Sequence, residues 1–205
     1  MALFDNLLRK AGQTLKQNAS ELVKKEANQV KNDLSCEKKN VTFPLLPRTV
    51  EEMKALPGYT IQDPFMTAAL TVAALAVFSE DREAGTALLN ELKGPEKLSP
   101  LALSQLRDRL MDGKTYIARS YFEGATPKNQ YTPNKPYTVR VEENPYSKQN
   151  YGEGYLVLYV RSGGADNPRP ITLRRKNSTG EWFLFGEFIG LLAGIRVPES
   201  EDPWA

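Results

Sequence analysis

With no histidine and a single cysteine, Cys36, in 205 residues, this chain must draw any chemistry from carboxylates, lysines, arginines and tyrosines. Histidine triads, histidine general bases and histidine metal ligands are excluded, and one thiol cannot build a cysteine-rich zinc site within one chain. No catalytic residue, metal ligand or cofactor is therefore expected. Carboxylates such as Glu123, Asp166 and Glu187 could work in pairs, as in glycoside hydrolysis, if the fold brought two of them to a suitable separation.

Groups suited to binding are more concentrated. The stretch "SYFEGATPKNQYTPNKPY", residues 120–137, packs three prolines and four aromatic residues into eighteen positions. The prolines restrict the backbone and remove donors, and the rings give the loop something to pack against. It is expected to be a stiff, self-packed crossing between the first two strands and the rim of any site on the folded domain.

A second stretch, "RSGGADNPRPITLRR", has the glycine, asparagine and proline of a loop joining strands. Alternatively, the amides of Gly163 and Gly164, with Arg161, Arg169 and Arg174, could hold an anion. Single-stranded nucleic acid would use such arginines beside Tyr155 and Tyr159, but Glu142, Glu143 and Glu153 oppose that use. The candidate binding rim is Tyr121, Glu123, Tyr131, Tyr137, Tyr155, Tyr159, Arg161, Asp166 and Arg169.

Short motifs add no chemistry. "DGKT" ends like a phosphate-binding loop, but its first glycine position is Asp108 and it follows a helix instead of opening one. "SCEK" lacks the companion motifs of serine–lysine hydrolases. The acceptor triplets at Asn18, Asn40 and Asn177 carry no meaning without a secretory signal, and the opening "MALFDNLLRKAGQ" lacks an apolar core. The longest apolar run, "MTAALTVAALAVF", is too short to cross a bilayer. With one cysteine, a cytoplasmic, reducing location is expected.

The elements that must hold these residues fall into three segments. Residues 1–34 contain no proline, and Phe4, Leu8, Leu15, Leu22 and Val30 lie on a stripe stepping by three or four, with an eleven-residue repeat. This predicts an amphipathic helix about 50 Å long. It could pack on its own domain or on a second copy. It could instead touch a membrane surface at the inner face through Phe4, Leu7 and Leu8 with their flanking lysines, or become ordered on a partner protein. The basic excess sits nearby: residues 1–40 hold eight Lys/Arg against five Asp/Glu, and residues 41–205 hold nineteen against twenty. That imbalance is too small to predict nucleic-acid binding.

Residues 35–49, mixing charge, asparagine and proline, read as a linker. Residues 50–205 read as a single α+β domain, with helices over 50–113, strands over 115–197 and a tail over 198–205. Asp63 and Pro64 should start an almost wholly apolar, hence buried, helix. Ser79 with Glu80 and Asp81 should start the next, and Ser99 with Pro100 a third. From Thr115 onward, alternating runs predict an antiparallel sheet. The strand at 154–161 is apolar on both faces and should be central. Leu156, Leu158 and Val160 are expected to meet the helices, leaving Tyr155, Val157 and Tyr159 for the N-terminal helix, the tail or a ligand. Trp204 is expected to dock on the domain or to serve as a recognition tag.

Taken together, "DPFMTAALTVAAL", "SYFEGATPKNQYTPNKPYTV", "YVRSGGADNPRPITLR" and the terminal "DPWA" resemble an uncharacterised bacterial domain family, found chiefly in anaerobic gut Firmicutes, over about residues 45 to 205. The resemblance implies a cytoplasmic bacterial protein and carries no activity, ligand or catalytic residue. The preferred expectation is a non-catalytic interaction module that uses residues 1–34 for self-association, partner binding or membrane-surface contact. The alternative is a small-ligand-binding or carboxylate-based hydrolytic domain with its site on the aromatic face of the sheet.

Overall fold

The computed structural model describes residues 36–204, and the chain divides at Cys36 and Glu37 into two units. The stripe of Phe4, Leu8, Leu15, Leu22 and Val30 lies outside the described residues. The second unit is α+β, as the sequence predicts. Its helices are α1 (Val50–Lys54), α2 (Pro64–Glu80), α3 (Arg82–Lys93), α4 (Pro100–Arg109) and α5 (Tyr116–Arg119). Its strands are β1 (Lys38–Phe43), β2 (Tyr137–Glu142), β3 (Tyr155–Val160), β4 (Arg169–Lys176) and β5 (Glu181–Gly186). They form one sheet in the order β1-β2-β3-β4-β5, each antiparallel to its neighbour, with β3 at the centre.

Local chemistry sets the helix ends. The Asp63 carboxylate accepts from the Phe65 amide at 2.9 Å, and Pro64 takes the first helical position, where its missing N–H costs nothing. Ser99 caps α4 through the Ala102 amide at 3.1 Å. The start of α3 differs from expectation: α2 runs on through Glu80, and Asp81 is the cap, accepting from the amides of Glu83 and Ala84. A carboxylate that reaches two orphan amides outcompetes Ser79, whose hydroxyl turns back to the Ala76 carbonyl at 2.7 Å.

Nearly every side chain of α2 is buried, and it contacts all five strands. The face of β3 bearing Leu156, Leu158 and Val160 belongs to the same core, with Ile171, Leu173, Trp182 and Leu184 from β4 and β5. Thr67 fits this apolar setting because its hydroxyl donates to the Trp182 carbonyl at 3.2 Å. Gly85 lets α3 lie against α2, since a methyl there would overlap the Phe78 backbone.

Further expectations are corrected. Residues 38–43, expected inside a linker, form edge strand β1, paired along its whole length with β2. The charged residues that suggested a loop are tied down: Lys39 meets Asp63 at 3.1 Å, and the Glu37 amide donates to Glu143 at 3.1 Å. Residues 115–122, expected as the first strand, form the short α5 and then a single bridge from Phe122 to Val139. The "IRVP" segment joins no strand, following a 3₁₀ turn at Phe188–Leu192. Trp204 does not dock; it is 92% exposed.

The bridge at Phe122 marks a gap in the sheet. β2 and β3 pair only at Val141 with Val160 and Glu142 with Tyr159. Where they part, the segment after α5 enters the gap, the Glu123 amide donating to the Thr138 carbonyl at 2.8 Å and the Gly163 amide to Ser120 at 2.8 Å. Residues 120–137 are thus a wedge between two strands rather than a crossing from one strand to the next.

Candidate functional site

The predicted rim divides into residues that build the scaffold and residues that face outward. Tyr121 and Tyr131 are scaffold. Both rings are buried, and their hydroxyls donate to the carbonyls of Leu191 at 2.6 Å and Arg196 at 2.7 Å. Burial pushes both phenols up, Tyr131 to about 12 with help from neighbouring Tyr116, and keeps them neutral as donors. Tyr137 packs edge-on against Phe122, with ring centroids 5.4 Å apart. Asp166 is consumed by an ion pair with Arg196, and Arg169 donates to the Gly194 carbonyl at 3.1 Å.

Residues 161–168 join β3 to β4 as a loop, and the glycine pair does not form the alternative anion nest. The Gly163 amide donates to Ser120 and the Gly164 amide to the Ser162 hydroxyl at 3.0 Å. A side chain at either glycine would collide with the wedge, at the Ala125 carbonyl or the Tyr131 hydroxyl. These glycines allow close packing, and their donors are already in use.

Around the wedge, Tyr121, Glu123 and Arg161 do come together, lining a hollow of about 290 Å³ with Arg140 and Thr138. Its cations are neutralised from below. Glu142, whose side chain is 8% exposed, accepts from Arg161 at 2.9 and 3.0 Å and lies 3.6 Å from Arg140. A buried carboxylate held by two guanidinium groups pins β2 to β3 at their last pair.

Tyr155 and Tyr159 are half-buried on the open face of the sheet, as their alternation with Leu156, Leu158 and Val160 requires. Two hollows lie near Tyr155, which lines the first of them. One, of about 300 Å³, is polar and holds Glu153, Glu187, Asn150, Gln149 and Tyr155. Glu187 sits there with a left-handed backbone, φ 62°, and accepts from the Thr172 hydroxyl at 3.2 Å. Non-glycine residues adopt that conformation at a cost, which can mark a functional position.

The other hollow, of about 310 Å³, is basic and aromatic, with Lys93, Arg174, Arg175, Lys176, Phe183 and Phe185 on its walls. β4 supplies three of the cations. A register shift between Thr172 and Leu173 pairs them with Gly186 and Leu184, so that Phe185 is the extra residue of a bulge. The bulge sets Phe185 beside Tyr155, ring centroids 5.3 Å apart, and the Arg174 guanidinium lies 5.4 Å from the Tyr155 ring and 5.6 Å from the Phe185 ring. Gly94, φ 63°, ends α3 where a side chain would overlap the Phe183 ring, so the helix end closes one wall.

Most of this second set was absent from the predicted rim. "LRRK" followed by a turn and "EWFLF" carries a signal, three consecutive cations entering a hairpin whose return strand has rings at outward positions. Lys93 could not be placed there from sequence, because it arrives from α3. Among the described residues, no group of three or more His, Cys, Asp or Glu side chains is placed to hold a metal ion.

A family model described as a domain of unknown function, DUF6935, matches residues 45–199, most of the folded unit. The chain belongs to this family. The match begins after β1 and ends just past the segment following β5, so the DUF6935 region contains the wedge and all three hollows, apart from the β1 residue Asn40 at the edge of the first. No curated protein and no solved structure matches the chain. Among the described residues, no helix of this DUF6935 protein is long and apolar enough to cross a membrane.

Proposed function

We propose that this protein is a non-catalytic interaction module, in which residues 1–34 contact a second copy, a partner protein or a membrane surface and the DUF6935 domain is the folded platform. The observation that carries this reading is the open face of the sheet. Tyr155, Val157 and Tyr159 are half-buried and Phe185 is 39% exposed, on strands whose other face is fully covered. Aromatic residues and arginine on an accessible face are the composition of interface centres. The eleven-residue apolar repeat of residues 1–34 adds a second surface that needs a cover. A cytoplasmic location, peripheral to the inner membrane face when that segment is engaged, belongs to the same reading.

Light scattering after size exclusion tests it, comparing the full chain with one that begins at Glu37, where the folded unit starts. Self-association predicts a multiple of the monomer mass that falls to the monomer on truncation; monomer masses for both would remove it. Membrane contact predicts sedimentation with anionic vesicles that the truncation abolishes.

A second reading, a small-ligand or carboxylate-based hydrolytic domain, is supported by Glu153 and Glu187 sharing one polar hollow beside Tyr155. It predicts hydrolysis of at least one member of a panel of aryl glycosides, lost in Glu153→Gln or Glu187→Gln. No turnover across the panel removes its hydrolytic form.

A further inference from the structure

From the charges and rings that meet at the β4–β5 hairpin, we infer that the basic hollow is a binding site for a small anion carrying a planar ring. This goes beyond the interaction module and concerns a different hollow from the one holding Glu153 and Glu187. It holds whether the protein is a monomer or an oligomer, and whether or not it hydrolyses a glycoside.

Charge is the first ground. Several cations of the described unit meet carboxylates, Arg161 and Arg140 at Glu142, Lys148 at Glu143, Arg48 at Glu80 and Lys54 at Glu91, and others such as Arg82, Arg107 and Lys128 stand apart from one another on the surface without a carboxylate; the hollow differs in gathering its cations together. Lys93, Arg174, Arg175 and Lys176 share one concavity in which, among the described residues, Glu96 is the only acid. Glu96 is 69% exposed and reaches Arg174 only at 4.0 Å. Among the described residues, no carboxylate lies within 4.0 Å of Lys93, Arg175 or Lys176. Like charges gathered in a hollow repel one another, and a bound anion relieves that repulsion.

Placement is the second. Lys93 is partly buried, and the loss of water around its ammonium lowers its pKa, so it stands to gain from an anion at close range. Its Nζ is held 3.5 Å from the Phe185 carbonyl and 5.8 Å from the centre of the Phe188 ring. Arg174 rests against the Tyr155 and Phe185 rings, which themselves touch. A guanidinium held against aromatic rings keeps N–H groups for an oxyanion and loses less freedom when it binds one.

Shape and surface supply the third. The rings of Phe183 and Phe185 stand on the same walls as the cations, so an occupant can place a flat group on them while its charge meets the arginines and lysines. A volume of about 310 Å³ suits a ligand the size of a mononucleotide or an aromatic acid.

The full-length chain, labelled with nitrogen-15, is titrated separately with adenosine 5′-monophosphate, salicylate, inorganic phosphate and adenosine at low ionic strength. The expected result is that one or both of the ring-bearing anions shifts the amide signals of Lys93, Arg174, Phe183 and Phe185. That anion should bind about tenfold more tightly than phosphate or adenosine, and more weakly as salt is added. Arg174→Gln and Lys93→Gln should each weaken it about tenfold, and Arg196→Gln, at a cation outside the hollow, should not. Signal dispersion in the same spectra reports whether each variant is folded. Equal binding of phosphate and the ring-bearing anions would overturn the role of the rings. Shifts centred elsewhere, no effect of either hollow variant when folded, or no shifts with any probe would overturn the site.

Discussion

On its closed face β3 buries Leu156, Leu158 and Val160 against α2; one residue along, on its open face, Tyr155, Val157 and Tyr159 are only half covered. The strand is the same and so is its alternation, yet the two faces have different partners. Leu158 is completely buried in a core that α2 fills from end to end, so its removal leaves a hole that the helix cannot close. Val157 lies opposite Thr172 on β4 and lines a hollow, where a lost methyl is replaced by solvent. Stability is therefore concentrated on one face, and the other is left partly exposed to solvent. A like contrast holds among the tyrosines, since the hydroxyls of buried Tyr121 and Tyr131 are tied to backbone carbonyls whereas Tyr155 is half-buried on the open face.

Leu158→Ala gives the largest expected effect. It should cost about 3 kcal/mol in urea unfolding, and a loss below about 1 kcal/mol would mean that the closed face is not tightly packed. Tyr131→Phe is intermediate. It removes the hydrogen bond to the Arg196 carbonyl and should cost about 1 kcal/mol at neutral pH. It also alters the alkaline limb. The unfolded phenol releases its proton near pH 10, while burial delays release in the folded state to about 12. Stability from this group is thus complete below pH 10 and is lost as the pH rises towards 12. Unfolding followed across that window should show a shallower decline in Tyr131→Phe than in the parent, and parallel declines would count against a buried phenol. The smallest effect belongs to Val157→Ala, one residue from Leu158, at about 0.5 kcal/mol. A loss equal to that of Leu158→Ala would abolish the distinction between the faces.

Much of the architecture is legible in the sequence because it follows from short-range rules. Asp63–Pro64 and Ser99–Pro100 announce helix starts, an apolar run of that length must be buried, and alternation places Leu156, Leu158 and Val160 together on β3. The failures share a cause. Lys38–Phe43 alternates weakly and is flanked by charge; it is a strand because β2 lies beside it, Asp63 receives its Lys39 ammonium and Glu143 the amide of Glu37 just before it. Residues 115–122 alternate well, yet α5 and a single bridge replace the strand because the available space is the gap where β2 leaves β3. Pairing partners remote in sequence decided both cases.

The candidate sites divide in the same way. Composition alone removes histidine and multi-cysteine chemistry, and local pattern puts Tyr155 and Tyr159 on one face of a central strand. Which polar groups remain available is a tertiary matter. Tyr121, Tyr131, Asp166, Gly163 and Gly164 look suited to binding in the sequence, but in the structure each already donates or accepts a bond, and Arg169 spends one nitrogen on the Gly194 carbonyl while its buried Nε has no partner among the described residues. The basic hollow depends on the β4–β5 hairpin, with its "LRRK" and bulged "EWFLFG", and on the end of α3, which is remote from the hairpin in sequence. Side-chain type and spacing along the chain set what each element can be; the assembly of those elements sets which charges find partners and which are left facing a cavity, because that depends on distances no local pattern encodes.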